Sequence, residues 1–186
     1  MIGYKAFNSD GTNRYGKEFQ VGKKYHIDGD IVARFGSEGN GYYYCTHIAD
    51  VFRFFPYDED VKVGVINASG IIDHSYDDYN DYEIYACSDM RLVNYLTREE
   101  VLQLIILDGS YSISKAIKTY KLTDEEKDIV LNNVRGDFSL IEEVLWYCFD
   151  KKDIYSLERE DLYKTINEEY SKLDERLNNK KKKTKK

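Results

Sequence analysis

Cysteine and histidine are the side chains most able to bind metal or act as nucleophiles, and this sequence has few of them. Cys45 and His47 stand two residues apart, while His26 and His74 lie elsewhere in the chain. A zinc site needs four converging ligands, usually supplied as two close pairs. Cys45 could form a thiol–imidazole couple with either distant histidine, but no nucleophile elbow or protease-type cysteine motif surrounds it. We therefore expect a buried thiol, with no catalytic residue, no metal site and no cofactor.

The stretch YDDYNDYEIY, residues 76–85, contains four tyrosines, four acidic residues and no basic residue. Crowded carboxylates can bind a divalent cation, but the spacing does not follow the EF-hand pattern. Two interpretations remain: a solvated hairpin, or a surface whose rings act as anchors and whose carboxylates complement a basic groove. For the second, the candidate partner-binding residues are Tyr76, Asp77, Asp78, Tyr79, Asp81, Tyr82 and Glu83.

The charge of the chain is unevenly distributed. The net charge is −7, and removing the six lysines of the terminal segment 180–186 leaves −13 for residues 1–179. An acidic body of this kind repels nucleic acid and favours basic partners, or serves solubility alone. Direct contact with nucleic acid is therefore limited to the lysine tail, for which a solubilising role is the main expectation.

The compartment is predicted from cysteines and hydropathy. Three widely spaced cysteines, an odd number, favour free thiols in a reducing environment. The start of the chain has no basic segment followed by an apolar run, and no apolar stretch has the length of a membrane span. The sequence thus predicts a cytoplasmic protein without membrane contact, and it does not indicate an oligomeric state.

Residues 1–96 have the pattern of an antiparallel, β-rich α+β domain with one short helix. Thr46 is placed to cap that helix, HIADVFRFF, whose apolar residues follow helical spacing. Pro56 ends it. Alternating or aromatic segments predict strands at YKAF, DIVARF, YYYC, VKVGVINASG, EIYACS and MRLVNYL, and EFQVGKKYHI alternates across a turn at Gly22.

Residues 97–178 are predicted to form a bundle of about five helices, followed by a disordered tail over 179–186. A hydroxyl residue followed by glutamate three positions later is typical of a helix start, because each side chain bonds a backbone N–H that the helix leaves unpaired. Three such capping boxes are predicted, Thr97–Glu100, Thr123–Glu126 and Ser139–Glu142. The predicted helices are 98–107, 110–120, 124–134, 139–149 and 157–177.

Residues 3–96 resemble a small domain that is common in proteins of phages and mobile elements. That family has a YKGF-N-D strand, an F-Y-VGK-Y hairpin, the motifs GFHFC and DVF-YY, and a V-A-G-I strand. The family's histidine in GFHFC is Tyr43 here, and the cysteine usual in its first hairpin is absent. The matching segments are YKAFNSD (4–10), EFQVGKKY (18–25), GYYYC (41–45), ADVFRFFP (49–56) and VINASGII (65–72).

The resemblance implies a phage, prophage or plasmid gene in a bacterium. Small acidic proteins of such elements that lack an active site are often inhibitors of host defence, and anti-CRISPR proteins are the best-known class. Many of these occupy the DNA-binding groove of a Cas nuclease, which is basic because it holds nucleic acid backbones. We therefore expect a binding protein, not an enzyme, that inhibits a type II Cas nuclease carrying guide RNA in the cytoplasm of the bacterial host.

A second, fainter resemblance concerns an enzyme fold. The order YKAF, GYYYCTHIADVFRFF and then a strand is similar to the ADP-ribosyltransferase fold, in which an aromatic strand precedes a short helix beneath the nicotinamide pocket. The Arg or His expected on the first strand is not evident, and Glu83 is the candidate catalytic acid. The alternatives to an inhibitor are thus an active or degenerate transferase, or a structural or regulatory phage protein with one partner.

Overall fold

The N-terminal half folds around an antiparallel sheet of five strands. In this computed structural model, residues 1–34, 39–55, 61–77 and 82–183 are described. The strands are β1 (Ile2–Phe7), β2 (Lys24–His26), β3 (Tyr42–Tyr44), β4 (Lys62–Asp77) and β5 (Tyr82–Leu96). Their order is β1-β4-β5-β2, and β3 also pairs with β5. Together with the helices that follow, this sheet confirms the predicted α+β class.

The two long strands β4 and β5 supply the centre of the core. Ile66 and Ala68 on β4, and Cys87 and Leu92 on β5, have no solvent exposure. All four belong to one cluster of buried apolar side chains. Aromatic rings from β1, β3 and the loops complete this cluster, among them Phe7, Phe19, Tyr42 and Tyr44.

A β-bulge lies in the middle of β4. The pairing with β5 shifts between Ser69 and Ile72, and Gly70 between them has a φ of +75°. A Cβ at Gly70 would lie 2.1 Å from the Ser88 hydroxyl oxygen, so the position requires glycine. Beyond the bulge the two strands pair again as far as Asp77, which extends the hairpin well past the end of β1.

The chain divides into two compact units, Met1–Lys121 and Leu122–Lys186, and both contain helices. The first unit contains the sheet, a 3₁₀ helix (Ile48–Arg53), α1 (Arg98–Asp108) and α2 (Ser110–Thr119). The second contains α3 (Asp124–Asn133), α4 (Phe138–Cys148), a 3₁₀ turn (Ile154–Ser156) and α5 (Arg159–Lys183). Within the described residues, no helix combines the length and apolar character needed to cross a membrane.

The first compact unit ends at Lys121, whereas the sequence predicted a domain boundary at residue 96. α1 and α2 both pack on the 3₁₀ helix Ile48–Arg53, and this contact makes them part of the first unit. Their sequence pattern marks where a helix begins but not which element it packs against. At the C-terminus, α5 continues to Lys183, so residues 179–183 are helical where a disordered tail was predicted, and 184–186 lie outside the described residues.

Two predicted caps were correct and two were wrong. Thr97 and Thr123 each cap a helix, and each receives the reciprocal glutamate bond of a capping box. The 3₁₀ helix begins after His47 and has no side-chain cap, so Thr46 does not serve there. At α4 the Asp137 carboxylate accepts from the N–H of Leu140, and Asp137 replaces the predicted Ser139 as the cap.

Three strand predictions also differ from the structure. In EFQVGKKYHI, the strand is limited to Lys24–His26, and the part before Gly22 contributes an isolated bridge between Thr12 and Glu18. In DIVARF, the described part contributes an isolated bridge between Val32 and Asn40 instead of a strand, and Phe35 lies outside the described residues. The segments EIYACS and MRLVNYL form one continuous strand, β5. Ile84 and Ala86 of the first segment and Met90 and Leu92 of the second are all buried, and pairing with β4 continues on both sides of the bulge at Gly70.

Candidate functional site

The predicted partner-binding residues lie at the end of the hairpin formed by β4 and β5. Its last cross-strand pairs are Tyr76 with Glu83 and Asp77 with Tyr82. Successive residues of a strand point to opposite faces, so Glu83 and Tyr82 lie on different sides of the hairpin. The structure therefore brings Tyr76 and Glu83 together and separates them from Tyr82. The predicted residues Asp78, Tyr79 and Asp81 lie outside the described residues, and only the backbone of Asp77 is described.

The three described side chains differ in exposure. Tyr76 is 51% exposed, whereas Tyr82 and Glu83 are half-buried. An exposed tyrosine beside a carboxylate can serve as an anchor at an interface, because its ring buries a large area while its hydroxyl stays hydrated. Tyr76 thus has the character expected of a contact residue, and Tyr82 has a second role inside the fold.

The ring of Tyr82 is in contact with two cationic side chains. The Lys115 Nζ lies 3.9 Å from the ring centroid, and the Arg53 Cζ lies 4.5 Å from it. Both distances are within the range of cation–π attraction. Lys115 comes from α2 and Arg53 from the 3₁₀ helix, so Tyr82 joins the end of the hairpin to two helical elements of the same unit.

A buried carboxylate stands behind this contact. Asp50 has no solvent exposure, and its Oδ1 lies 3.5 Å from the Lys115 Nζ. The Tyr111 hydroxyl is 3.2 Å from Oδ1 and 3.3 Å from Oδ2 of Asp50, and it accepts from Lys115 at 2.5 Å. Burial raises the pKa of the Asp50 carboxyl, and the Lys115 cation and the Tyr111 hydrogen bond oppose that rise only in part.

A histidine, an aspartate and a serine lie near this cluster, but not in the arrangement of a catalytic triad. The His47 Nδ1 lies 2.9 Å from the Asp108 Oδ2, and the Ser112 hydroxyl donates to the same oxygen. In a triad the hydroxyl bonds to the imidazole, which removes its proton. Here the carboxylate holds both groups, so the contact fixes the loop before the 3₁₀ helix against α1 and α2.

The structure shows the environment of two of the cysteines, Cys45 and Cys87. Cys45 is buried, and burial raises the pKa of its thiol, which disfavours the reactive thiolate. Burial likewise raises the pKa of Cys87 to about 11. In the ranges 1–34, 39–55, 61–77 and 82–183, no group of three His, Cys, Asp or Glu side chains could hold a metal ion.

Glu83, the candidate acid of the transferase alternative, also interacts with a neighbouring tyrosine. Burial, followed by the hydrogen bond with Glu83, raises the pKa of the Tyr85 hydroxyl to about 12. The Tyr85 ring stacks on Tyr44, with centroids 5.4 Å apart. Glu83 therefore lies opposite the exposed Tyr76 and interacts with one ring of a stacked aromatic pair on the sheet.

Sequence reasoning missed the cluster of Asp50, Tyr111 and Lys115. One local signal was present: Asp50 is an acidic residue inside the apolar pattern of HIADVFRFF, which indicates a carboxylate with a buried partner. The partner could not be read from the sequence, because Tyr111 and Lys115 follow Asp50 by more than 60 positions.

Residues 1–104 match a protein family described as "Domain of unknown function (DUF7666)". This range covers the whole sheet, the 3₁₀ helix Ile48–Arg53 and most of α1. No curated protein and no solved structure gives a significant match to the chain.

Proposed function

The chain belongs to the DUF7666 family, and we propose that it is a binding protein whose β4–β5 hairpin end occupies a basic, nucleic-acid-binding groove of a partner protein. One observation carries the proposal. The acidic tyrosine stretch 76–85 begins in β4 and ends in β5, and these strands are paired as far as Asp77 and Tyr82. The stretch therefore lies at the end of the longest hairpin of the sheet. This end, which Tyr82 holds against α2 and the 3₁₀ helix, is the part of the domain that would meet the groove.

Charge and ring content favour such a groove. The stretch 76–85 has four acidic residues and no basic one, and the chain without its lysine tail carries −13. Opposite potentials on two proteins speed their encounter and favour one orientation. Tyr76, with half of its surface exposed, supplies an apolar anchor beside these charges.

The partner class follows from the sequence resemblance to phage and mobile-element proteins. Within that context we propose a type II Cas nuclease carrying guide RNA, with the protein acting as an anti-CRISPR inhibitor in the cytoplasm of the bacterial host. The groove of such a nuclease is lined with cations that hold the nucleic acid backbone. A hairpin with four carboxylates would compete for those cations.

Charge reversal at the hairpin end tests the proposal. The variant carries Asp77→Lys, Asp78→Lys and Asp81→Lys, and the control carries Glu160→Lys, Glu168→Lys and Glu175→Lys at exposed positions of α5. Both variants change the net charge equally. We expect the hairpin variant to lose inhibition of target-DNA cleavage by about tenfold or more, and the control to keep it.

Two outcomes would count against this function. Equal inhibition by the hairpin variant and the unmodified protein would exclude the hairpin as the contact surface. NAD consumption that disappears in Glu83→Gln would support the transferase alternative instead. If the hairpin variant inhibits as well as the unmodified protein does, pulldown from the lysate of a CRISPR-bearing host, with mass spectrometry of the retained proteins, identifies the partner.

A further inference from the structure

Lys115 occupies an aromatic enclosure at the base of the hairpin end. Its Nζ lies 3.9 Å from the centroid of Tyr82 and 4.1 Å from that of Tyr111, and its side chain is 13% exposed. Two electron-rich rings around an ammonium are the arrangement by which proteins bind alkylammonium ligands. Here the ammonium comes from the chain itself.

Asp50 supplies the counter-charge of this enclosure. Its carboxylate is fully buried and lies 3.5 Å from the Lys115 Nζ. The Tyr111 hydroxyl connects the two groups, because it lies within hydrogen-bond distance of the Asp50 carboxylate and accepts from Lys115. A buried ion pair is favourable only when hydrogen bonds satisfy its remaining polar atoms, and Tyr111 contributes to that here.

The enclosure joins three elements that are distant in sequence. Asp50 lies on the 3₁₀ helix, Tyr111 and Lys115 lie on α2, and Tyr82 is the first residue of β5. Tyr82 pairs with Asp77, so the contact reaches the last pair of the hairpin. Arg53, with its Cζ 4.5 Å from the same ring centroid, adds a second cation from the 3₁₀ helix.

We propose that Asp50, Tyr82 and Tyr111 form a cation-binding cage, that Lys115 fills it, and that the filled cage fixes the end of the β4–β5 hairpin to α2. The hairpin is then held in one orientation before any partner arrives. Such preorganisation lowers the entropic cost of binding. The inference concerns the free protein, and its test requires no partner, so it stands or falls separately from the proposed function.

Hydrogen exchange of the hairpin amides measures this attachment. Lys115→Met keeps the length of the side chain and removes its charge. Lys118→Met is the matched control, because Lys118 lies exposed on the same helix and donates to Ser114. We expect Lys115→Met to speed exchange of residues 74–77 and 82–85 by about tenfold, Lys115→Arg to restore most of the protection, and Lys118→Met to change nothing. Equal protection in Lys115→Met and Lys118→Met would overturn the proposal.

A second variant separates the cage from the general stability of the unit. Tyr82→Leu removes the ring on the hairpin and leaves Asp50, Lys115 and Tyr111 in place. Faster exchange confined to the hairpin supports the proposal even if Lys115→Met unfolds the first unit. Unchanged hairpin protection in Tyr82→Leu overturns it.

Chemical rescue tests whether the cage binds a cation. Lys115→Ala removes three methylenes and the ammonium, and n-propylammonium replaces those atoms. We expect n-propylammonium to restore the protection of the hairpin amides in Lys115→Ala, whereas 1-propanol at the same concentration does not. Equal rescue by the alcohol would show that filled volume, not charge, fixes the hairpin, and would overturn the assignment of a cation site.

Discussion

The two units bury carboxylates in different ways. In the first unit, Asp50 is fully buried, and the ammonium of Lys115 lies 3.5 Å from its Oδ1. In the second, Asp128 receives a forked pair of hydrogen bonds from Arg176, with Nη2 2.7 Å and Nε 3.0 Å from Oδ1. The side chain of Arg176 is 39% exposed, so this pair remains partly hydrated. The helical unit therefore balances its buried charge with a strong, direct partner, and the sheet unit with a longer and drier contact.

The pKa values of two buried carboxyls show what this difference means. Burial alone would raise the pKa of Glu169, but hydrogen bonds from Lys172 and Lys151 outweigh burial and lower it. For Asp50 burial outweighs the same kinds of interaction, and the pKa is raised. The charge on Glu169 thus stabilises the second unit, whereas the charge on Asp50 is a cost to the first. A costly buried charge whose partner, Lys115, contacts the Tyr82 ring of the hairpin is more typical of a functional region than of a structural pair.

Removing the cation of the direct pair should give the largest effect on stability. Arg176→Ala leaves the Asp128 carboxylate, whose side chain is 7% exposed, without its forked partner. Loss of one member of a buried pair costs about 3–5 kcal/mol, and we expect about 2–3 kcal/mol here because water reaches the Arg176 side. Urea unfolding followed by the fluorescence of Trp146, the single tryptophan, reports on this unit.

The control for this experiment is an ion pair at the surface of the same unit. Arg135 pairs with Asp174, and their side chains are 41% and 55% exposed. We expect Arg135→Ala to cost less than about 1 kcal/mol, as exposed pairs do. Similar losses in the two variants would contradict the distinction between a buried and an exposed carboxylate.

The capping boxes allow the same motif to be compared in both units. Thr97 starts α1 in the first unit and Thr123 starts α3 in the second, and their hydroxyls accept from backbone N–H groups at 3.2 and 3.3 Å. We expect Thr97→Ala and Thr123→Ala each to reduce the free energy of unfolding of its own unit by about 1 kcal/mol. Trp146 fluorescence detects the loss in the second unit, and hydrogen exchange of the β5 amides detects it in the first.

α4 provides the internal control for caps. Asp137→Ala should cost about 1 kcal/mol because the carboxylate accepts from the Leu140 N–H at 3.1 Å. Ser139→Ala should have little effect, because Ser139 lies inside the helix. A larger loss of stability in Ser139→Ala than in Asp137→Ala would mean that the capping box predicted at Ser139 forms in solution.

Local features of the fold were predictable because their causes are local. A hydroxyl residue and a glutamate three positions apart bond to each other's backbone, so Thr97 and Thr123 marked the starts of α1 and α3 to the residue. At α4 the motif selected Ser139, whereas the cap is Asp137, two residues earlier. The alternation of β4 likewise predicted a strand, but no local pattern indicated that pairing would continue past Gly70 to Asp77.

The candidate site was predictable only in part, because its contacts join distant segments. The composition of 76–85 singled out the hairpin end, and the structure pairs Tyr76 with Glu83 there. The cations over Tyr82 come from the 3₁₀ helix and from α2, which the sheet and its loops bring together. No spacing rule connects Tyr82 to Lys115, so the internal role of this tyrosine could not be predicted.

The smallest predicted effect concerns the dependence of stability on pH, to which Asp50 and Glu169 should contribute with opposite signs. A carboxyl whose folded-state pKa is lowered adds stability above its unfolded pKa, near 4.5 for Glu169, and loses that stability as the pH falls through the folded value. A carboxyl whose folded-state pKa is raised does the opposite. The folded protein binds the Asp50 proton more tightly than the unfolded chain does, so stability decreases as the pH rises from 3.8 through the folded value.

Neutral substitutions at these two positions should therefore act in opposite directions. At pH 7, Glu169→Gln should lower the stability of the second unit by about 1 kcal/mol or less, because the Lys151 side of the pair is 34% exposed. Asp50→Asn mimics the protonated carboxyl, so it should keep or slightly raise the stability of the first unit at pH 7 and flatten its dependence on pH above 3.8. Urea unfolding between pH 4 and 7, with Trp146 fluorescence for one unit and β5 amide exchange for the other, measures both. A loss of stability in Asp50→Asn as large as in Glu169→Gln would mean that the Asp50 charge stabilises the fold, and the contrast between the two units would then disappear.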